Sequence, residues 1–130
     1  MELSGLIVNT VALKRALRLR KSKDFQRVRQ QGRSTASRLL ILTSAPNELA
    51  TSRIGFVVSK RVSKRAVERN YVKRLLSEAI RLVLVDIPAG WDLVISAKTS
   101  VTGVKLSDLV EDLRKLLRRA RLLEIGRAHV

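Results

Sequence analysis

The residues best equipped for chemistry in this chain are lysine and arginine, and the chemistry they offer is the holding of phosphate. Arg53, Lys60, Arg61, Lys64, Arg65, Arg69, Lys73, Arg74 and Arg81 fall in one stretch that contains only two acids, Glu68 and Glu78. Over the whole chain 27 Lys and Arg stand against 11 Asp and Glu, for a formal net charge of +16. Charge of that size works against compaction by self-repulsion, so it points to a polyanionic partner. High net charge can also mean disorder, but here 45% of the residues are apolar and fall in periodic runs. The chain is expected to fold.

Bond-breaking groups are scarce. There is no cysteine, and the one histidine, His129, stands in a tail that looks like translated sequencing adapter, so no disulfide framework, zinc knuckle, or Ser/His/Asp or Cys/His constellation is expected. Asp108, Glu111 and Asp112 form an acidic cluster at the start of a helical stretch, where carboxylates complement the helix dipole. Helix-start stabilisation is a simpler reading of them than a metal site. No glycine-rich phosphate loop follows a strand. The expectation is no catalytic side chain, no side-chain-bound metal, and a surface that binds nucleic acid.

The elements that must position this surface can be read from periodicity. Lys14 to Lys23 is a basic lead-in. Ser22 stands where an N-cap belongs, Asp24 suits the first turn, and Gly32 suits the residue beyond the last, which predicts a short helix over about Lys23–Gln31. Arg38–Ser44 reads as an apolar strand, and Pro46-Asn47 as a turn. Ile54, Phe56 and Val58 alternate with Arg53, Gly55, Val57 and Ser59, a strand pattern. A helix follows from about Arg65 to Val85. At 100° per residue, Val72, Leu76, Ala79, Ile80 and Val83 share a core face, while Asn70, Arg74, Ser77 and Arg81 face away. Ile87–Gly90 reads as a turn, Trp91–Ala97 as a third strand, and Ser107 as the cap of a last helix with a leucine-rich stripe. The order α-β-β-α-β-α makes a small single α+β domain with helices mainly on one face of the sheet.

Each candidate site has a bland alternative. A charge run is usually a solvated face, but here too few acids are present for intrahelical pairing to explain it. Lys60, Arg61, Lys64 and Arg65 also crowd a strand–helix junction, and a helix start favours anions. Asn70 could contact a base edge or a 2′-hydroxyl, or be an ordinary surface residue. Tyr71 could stack on a base or snorkel. Phe25 is either the apolar anchor of its short helix or a groove wall. Phe56 and Trp91 read as core.

The ends are set apart from site reasoning. Residues 1–13 read as a poorly ordered or over-called extension, with Val11 an equally good start. Glu124–Val130 looks like translated sequencing adapter, which would leave a domain of residues 14–123 and make His129 meaningless. No apolar run approaches the roughly 20 residues that span a bilayer. Leu3–Leu13 lacks the basic start and cleavage site of a signal peptide. No membrane and a cytoplasmic location are expected.

Arg53-Ile-Gly-Phe-Val-Val-Ser-Lys-Arg61, Ala66-Val-Glu-Arg-Asn-Tyr-Val-Lys-Arg74, Glu78 and Arg81 resemble the bacterial ribonuclease P protein component and its Arg-Asn-Arg signature region. Leu19–Phe25, Gly32 and Trp91–Ser96 also fit, so the likeness runs from about Leu19 to Leu117. It implies a protein subunit of the ribonucleoprotein endonuclease that removes 5′ leaders from precursor tRNA. In such an enzyme the RNA subunit carries out the hydrolysis with Mg²⁺, and the partners are that catalytic RNA and precursor tRNA, with no obligate protein partner. The likeness implies that the signature helix docks on the catalytic RNA through Arg65, Arg69, Asn70, Lys73 and Arg74, with Lys60 and Arg61 just before it, and Lys64, Tyr71 and Arg81 complete the RNA-binding candidates. A cleft between the first helix and the sheet would hold the leader, with Phe25 and Arg29 lining it. Tyr71 replaces the signature's usual second Arg, and Arg29 replaces an aromatic common one turn after Phe25. The likeness also implies a left-handed β-α-β crossover and the fold of the second domain of the fifth small-subunit ribosomal protein. Sequence physics alone would favour the right-handed crossover. The alternative function is a structural RNA-binding protein, either ribosomal or an RNA chaperone.

Overall fold

The computed structural model describes residues 17–120, so the readings of residues 1–13 and 124–130 lie outside the described residues. Three helices and four strands follow in the order α1 (Ser22–Gln31), β1 (Arg33–Ala36), β2 (Leu40–Pro46), β3 (Arg53–Val57), α2 (Ala66–Val83), β4 (Trp91–Ala97) and α3 (Leu106–Arg119). The sheet order is β1-β2-β4-β3. β1 and β2 form an antiparallel hairpin, β4 lies antiparallel to β2, and β3 runs parallel to β4. A parallel neighbour needs a long connection, and α2 supplies it.

Strand alternation splits the core in two. Leu93 and Ile95 of β4, Ile54 of β3 and Leu40 and Leu42 of β2 face one way. There they meet Val72, Leu76, Ala79, Ile80 and Val83 of α2 and Leu109, Leu113, Leu116 and Leu117 of α3. Full burial of one such side chain contributes about 1.5–3 kcal/mol before ordering entropy is subtracted. This large cluster makes α2 a rigid mount. On the other face, Ala45 and Val94 pack against Val28 of α1 and Leu19 before it, with Phe25 and Val57 partly buried beside them. Leu19 donates its backbone N–H to Ile54 O at 2.9 Å, covering part of the outer edge of β3.

Several expectations need correction. β1 was not expected, because Arg-Ser-Thr-Ala is short, polar and largely exposed and carries no alternation of apolar residues. It is held by hairpin pairing and by the Ser34–Thr43 hydroxyl bond of 2.8 Å. Two helices share one face as expected, but α1 occupies the other. Ser22 lies inside α1, whose N-cap is Lys21 and has no side-chain bond. Ser107 likewise lies inside α3, and Asp108 does the capping by accepting the Lys105 N–H at 3.2 Å. Gly32 does follow α1, yet its backbone is extended rather than left-handed. Glycine is required there for space, since a Cβ would lie 2.6 Å from Ser44 O and closer still to Val28 O.

Candidate nucleic-acid interface

The junction between β3 and α2 is built so that its cations cannot fold inward. Val62 is partly buried against the main core and pins the loop, while Lys60, Arg61, Lys64 and Arg65 around it are exposed. Ser59 Oγ accepts from Arg61 N at 3.3 Å, and Ser63 Oγ accepts from Arg65 N at 3.1 Å, so side chains order the turn. Ser63 Oγ also donates to Glu68 in the first turn of α2. Once α2 begins, Val72 and Leu76 turn inward, and helical geometry leaves Asn70, Lys73 and Arg74 exposed on the opposite side.

The ten residues expected to bind RNA all lie on this junction and helix, but they are not equivalent. Among the described residues Lys60, Arg61, Lys64, Lys73 and Arg74 are exposed and form no ion pair. Arg65 has a 3.5 Å contact with Glu68, but its side chain is 78% exposed, where such a pair stabilises by about 0–1 kcal/mol. Arg69 is partly buried and donates to Ser63 O at 3.0 Å, which aims it along the loop. Tyr71 is 58% exposed, with its neighbour Val67 at 78%, so an apolar flank borders the cations. Arg81 is the least available. It pairs with Glu78 at 3.3 Å, and its Nε is buried without a partner.

Phe25 lies on the other face of the sheet. Its ring sits so close over β3 that a Cβ on Gly55 would be 2.7 Å from Phe25 Cε1 and nearer still to Cζ. Gly55 is therefore the seat of the ring, and Phe25 anchors α1. Arg29, one turn on, is exposed. Phe25 and Arg29 thus share α1 but not one environment, and neither is near the cationic face of α2.

The profile of the family described as Ribonuclease P matches residues 13–121. The ribonuclease P protein component of Chloroflexus aurantiacus is 46% identical over 112 residues, which cover 85% of this chain and 82% of that protein. The chain belongs to the ribonuclease P protein family. It superposes on the Staphylococcus aureus RNase P protein with a TM-score of 0.76 at 28% identity, covering 85% of this chain and all of that one. For the Thermotoga maritima RNase P protein the TM-score is 0.72 at 29% identity, with 78% and 96% covered. A ribonuclease P protein is a subunit of an endoribonuclease holoenzyme that processes tRNA, and its partner there is RNA. These likenesses do not favour a general structural RNA-binding protein.

In this ribonuclease P protein most carboxylates among the described residues are occupied with structure, Glu48 and Glu111 being the exceptions. Asp112 is buried in α3, where it accepts from Ser37 Oγ and from Leu39 N at 3.3 Å, which ties α3 to the β1–β2 turn. Among the described residues no group of three or more His, Cys, Asp or Glu side chains could hold a metal ion. No helix among them is long and apolar enough to cross a membrane. Sequence reasoning missed Asp92, which is wholly buried on β4. Arg53 binds it through two hydrogen bonds of 2.9 and 2.7 Å, Asn47 Nδ2 donates at 2.8 Å, and Arg27 of α1 adds a further ion pair. Burial pushes the Asp92 carboxyl up, but the bonds from Arg53 and Asn47 and the charges of Arg53 and Arg27 outweigh it, so it lies below its ordinary value. The Arg53 guanidinium is correspondingly raised, chiefly by its bond to Asp92. The clue was an aspartate inside an apolar strand, which demands a buried cation.

Proposed function

We propose that this subunit grips the catalytic RNA of ribonuclease P with the β3–α2 junction and the outer face of α2, and that the 5′ leader of precursor tRNA runs between α1 and the sheet. The observation that carries the first half is the set of exposed cations, free of carboxylates, on a helix whose other face is locked into the main core. Arginine and lysine held at fixed spacing neutralise phosphates with little further ordering cost, and Asn70 adds a group that can both donate and accept. In the second half Phe25 supports one wall and Arg29 supplies charge, so the cleft is more electrostatic than stacking in character.

Hydrolysis belongs to the RNA subunit in this reading, with Mg²⁺ supplied in the RNA-containing holoenzyme. The protein screens phosphate repulsion and positions the substrate, which lowers the metal concentration the RNA needs. Reconstitution tests it. Adding the chain to a bacterial ribonuclease P RNA should restore leader cleavage at low Mg²⁺. Arg69→Ala or Arg74→Ala should weaken binding to the catalytic RNA, whereas Phe25→Ala should mainly weaken binding of leader-containing precursor. Equal effects of both kinds of change on precursor and mature tRNA would defeat the division of labour.

A further inference from the structure

Past the last turn of α3, over the β1–β2 hairpin and reaching the end of α1, lies a groove of ≈ 930 Å³ walled by Trp91, Arg33, Thr35, Ser44 and Arg119 and lined also by Ser34 and by Gln31, the last residue of α1. Pairing register decides the face. Arg33 is opposite Ser44 and Thr35 opposite Leu42, a residue of the core beneath α2 and α3. Ser34, one position away, also lines the groove, while its hydroxyl meets Thr43 on the α1 side. The groove therefore shares no residue with the α2 face or with Phe25 and Arg29.

Its rim is short of negative charge. Its lining holds two cations, Arg33 and Arg119, and no carboxylate, and Arg33 is exposed and forms no ion pair among the described residues; Arg38 and Lys115 line a separate groove that shares Arg119. Arg119 donates to Ala36 O and Lys98 to Ser37 O, each at 2.6 Å, so both meet backbone carbonyls rather than carboxylates beside the hairpin. The local acids are mostly spent, Asp112 on Ser37 and Leu39 and Asp108 on the start of α3, which leaves Glu111. Trp91 packs against the main core, as expected, but is only partly buried and also forms a wall of the groove. Cations that track a backbone beside an aromatic platform are the means by which proteins hold single-stranded nucleic acid. A volume of this order suits a ligand of nucleotide size or larger.

We propose that this groove is a second RNA-binding site, which takes a single-stranded segment with phosphates on Arg33 and Arg119 and a base against the Trp91 indole. One protein would then contact RNA at a third place, beside the β1–β2 hairpin, in addition to the α2 face and the α1 side.

Trp91 is the sole tryptophan of the chain, so its fluorescence reports this groove. The full chain is titrated with a dye-labelled hexauridylate at low salt, following indole emission and dye anisotropy together. Emission should fall as anisotropy rises. The double variant Arg33→Ala/Arg119→Ala should shift the quenching midpoint upward by roughly tenfold, as expected when phosphate contacts are lost. Arg33→Glu, a change at an exposed side chain, should shift it further. Arg74→Ala and Phe25→Ala should leave the quenching midpoint in place. Binding seen by anisotropy with unchanged emission would overturn the site, as would no binding at all, or a midpoint that follows Arg74 and ignores Arg33. Wild-type protein that stimulates cleavage without any quenching would sink this groove alone and leave the α2 reading standing.

Discussion

Arg53, at the start of β3, and Arg74, on the outer face of α2, belong to the same basic stretch and have opposite surroundings. Arg53 grips a wholly buried aspartate through two hydrogen bonds and also lies 3.6 Å from Asp24. Arg74 is exposed and has no carboxylate partner among the described residues. The first arginine is part of the joint that holds α1, β3 and β4 together, and the second is free to meet a phosphate. Residue type is shared, so the difference comes from what the neighbouring strand presents. Net charge overstates the binding surface by every cation that is spent on a buried acid.

Salt should separate the two regions most sharply. If the exposed face makes six to ten phosphate contacts, affinity for the catalytic RNA should fall by roughly 10³–10⁵ between 50 and 200 mM salt. Chemical stability, resting in part on a buried cluster that mobile ions screen far less, should change far less over that range. A nearly flat binding curve would remove the electrostatic account of α2.

Asp92→Ala should come next in size. It leaves Arg53 and Arg27 facing a site without its anion, which costs about 3–5 kcal/mol when one partner of a buried pair is removed. Urea unfolding measures this directly, and a loss under about 1 kcal/mol would mean that the cluster is not a joint. The same group sets a pH window. Because the folded carboxyl lies below its ordinary value, its stabilisation is complete above the unfolded value of about 4 and is lost as pH falls through the folded one. The urea midpoint should thus decline in acid, and Asp92→Asn should flatten that decline.

Gly55→Ala should cost about 1–3 kcal/mol by pushing Phe25 off β3, and it should loosen α1 while leaving α2 in place. Thermal unfolding combined with proteolysis of the α1 segment would show which helix responds. The smallest stability effect belongs to Arg74→Ala, which should stay within about 0.5 kcal/mol of wild type. Its RNA affinity should nevertheless fall alike for all sequences, with the salt slope reduced by about one unit. A large loss of stability there would place Arg74 with Arg53 and erase the contrast.

Much of the architecture was legible in the residues. The core face of α2 from Val72 to Val83, the strand Trp91–Ala97 and the leucine stripe of α3 all carry strong periodicity, because a one-sided core forces a regular spacing of apolar side chains. The exposure of Asn70 and Arg74 was legible for the converse reason, since a helix with one buried face must expose the other. β1 was not, because an edge strand pairs through its backbone and needs no apolar pattern. The caps at Lys21 and Lys105 also escaped, since backbone geometry and Asp108 met needs that a serine would otherwise serve.

Composition and spacing alone determined that this chain carries a surplus of positive charge on a folded α+β frame. Those properties follow from local periodicity and from counting, which do not depend on how distant segments meet. Only the tertiary structure decided which arginines are free, that Gly55 seats Phe25, and that Trp91 walls a groove with Arg33 and Arg119. Each of these depends on strands and helices far apart in the chain coming within contact distance, and pairwise proximity of that kind leaves no mark on the spacing of residues along one segment.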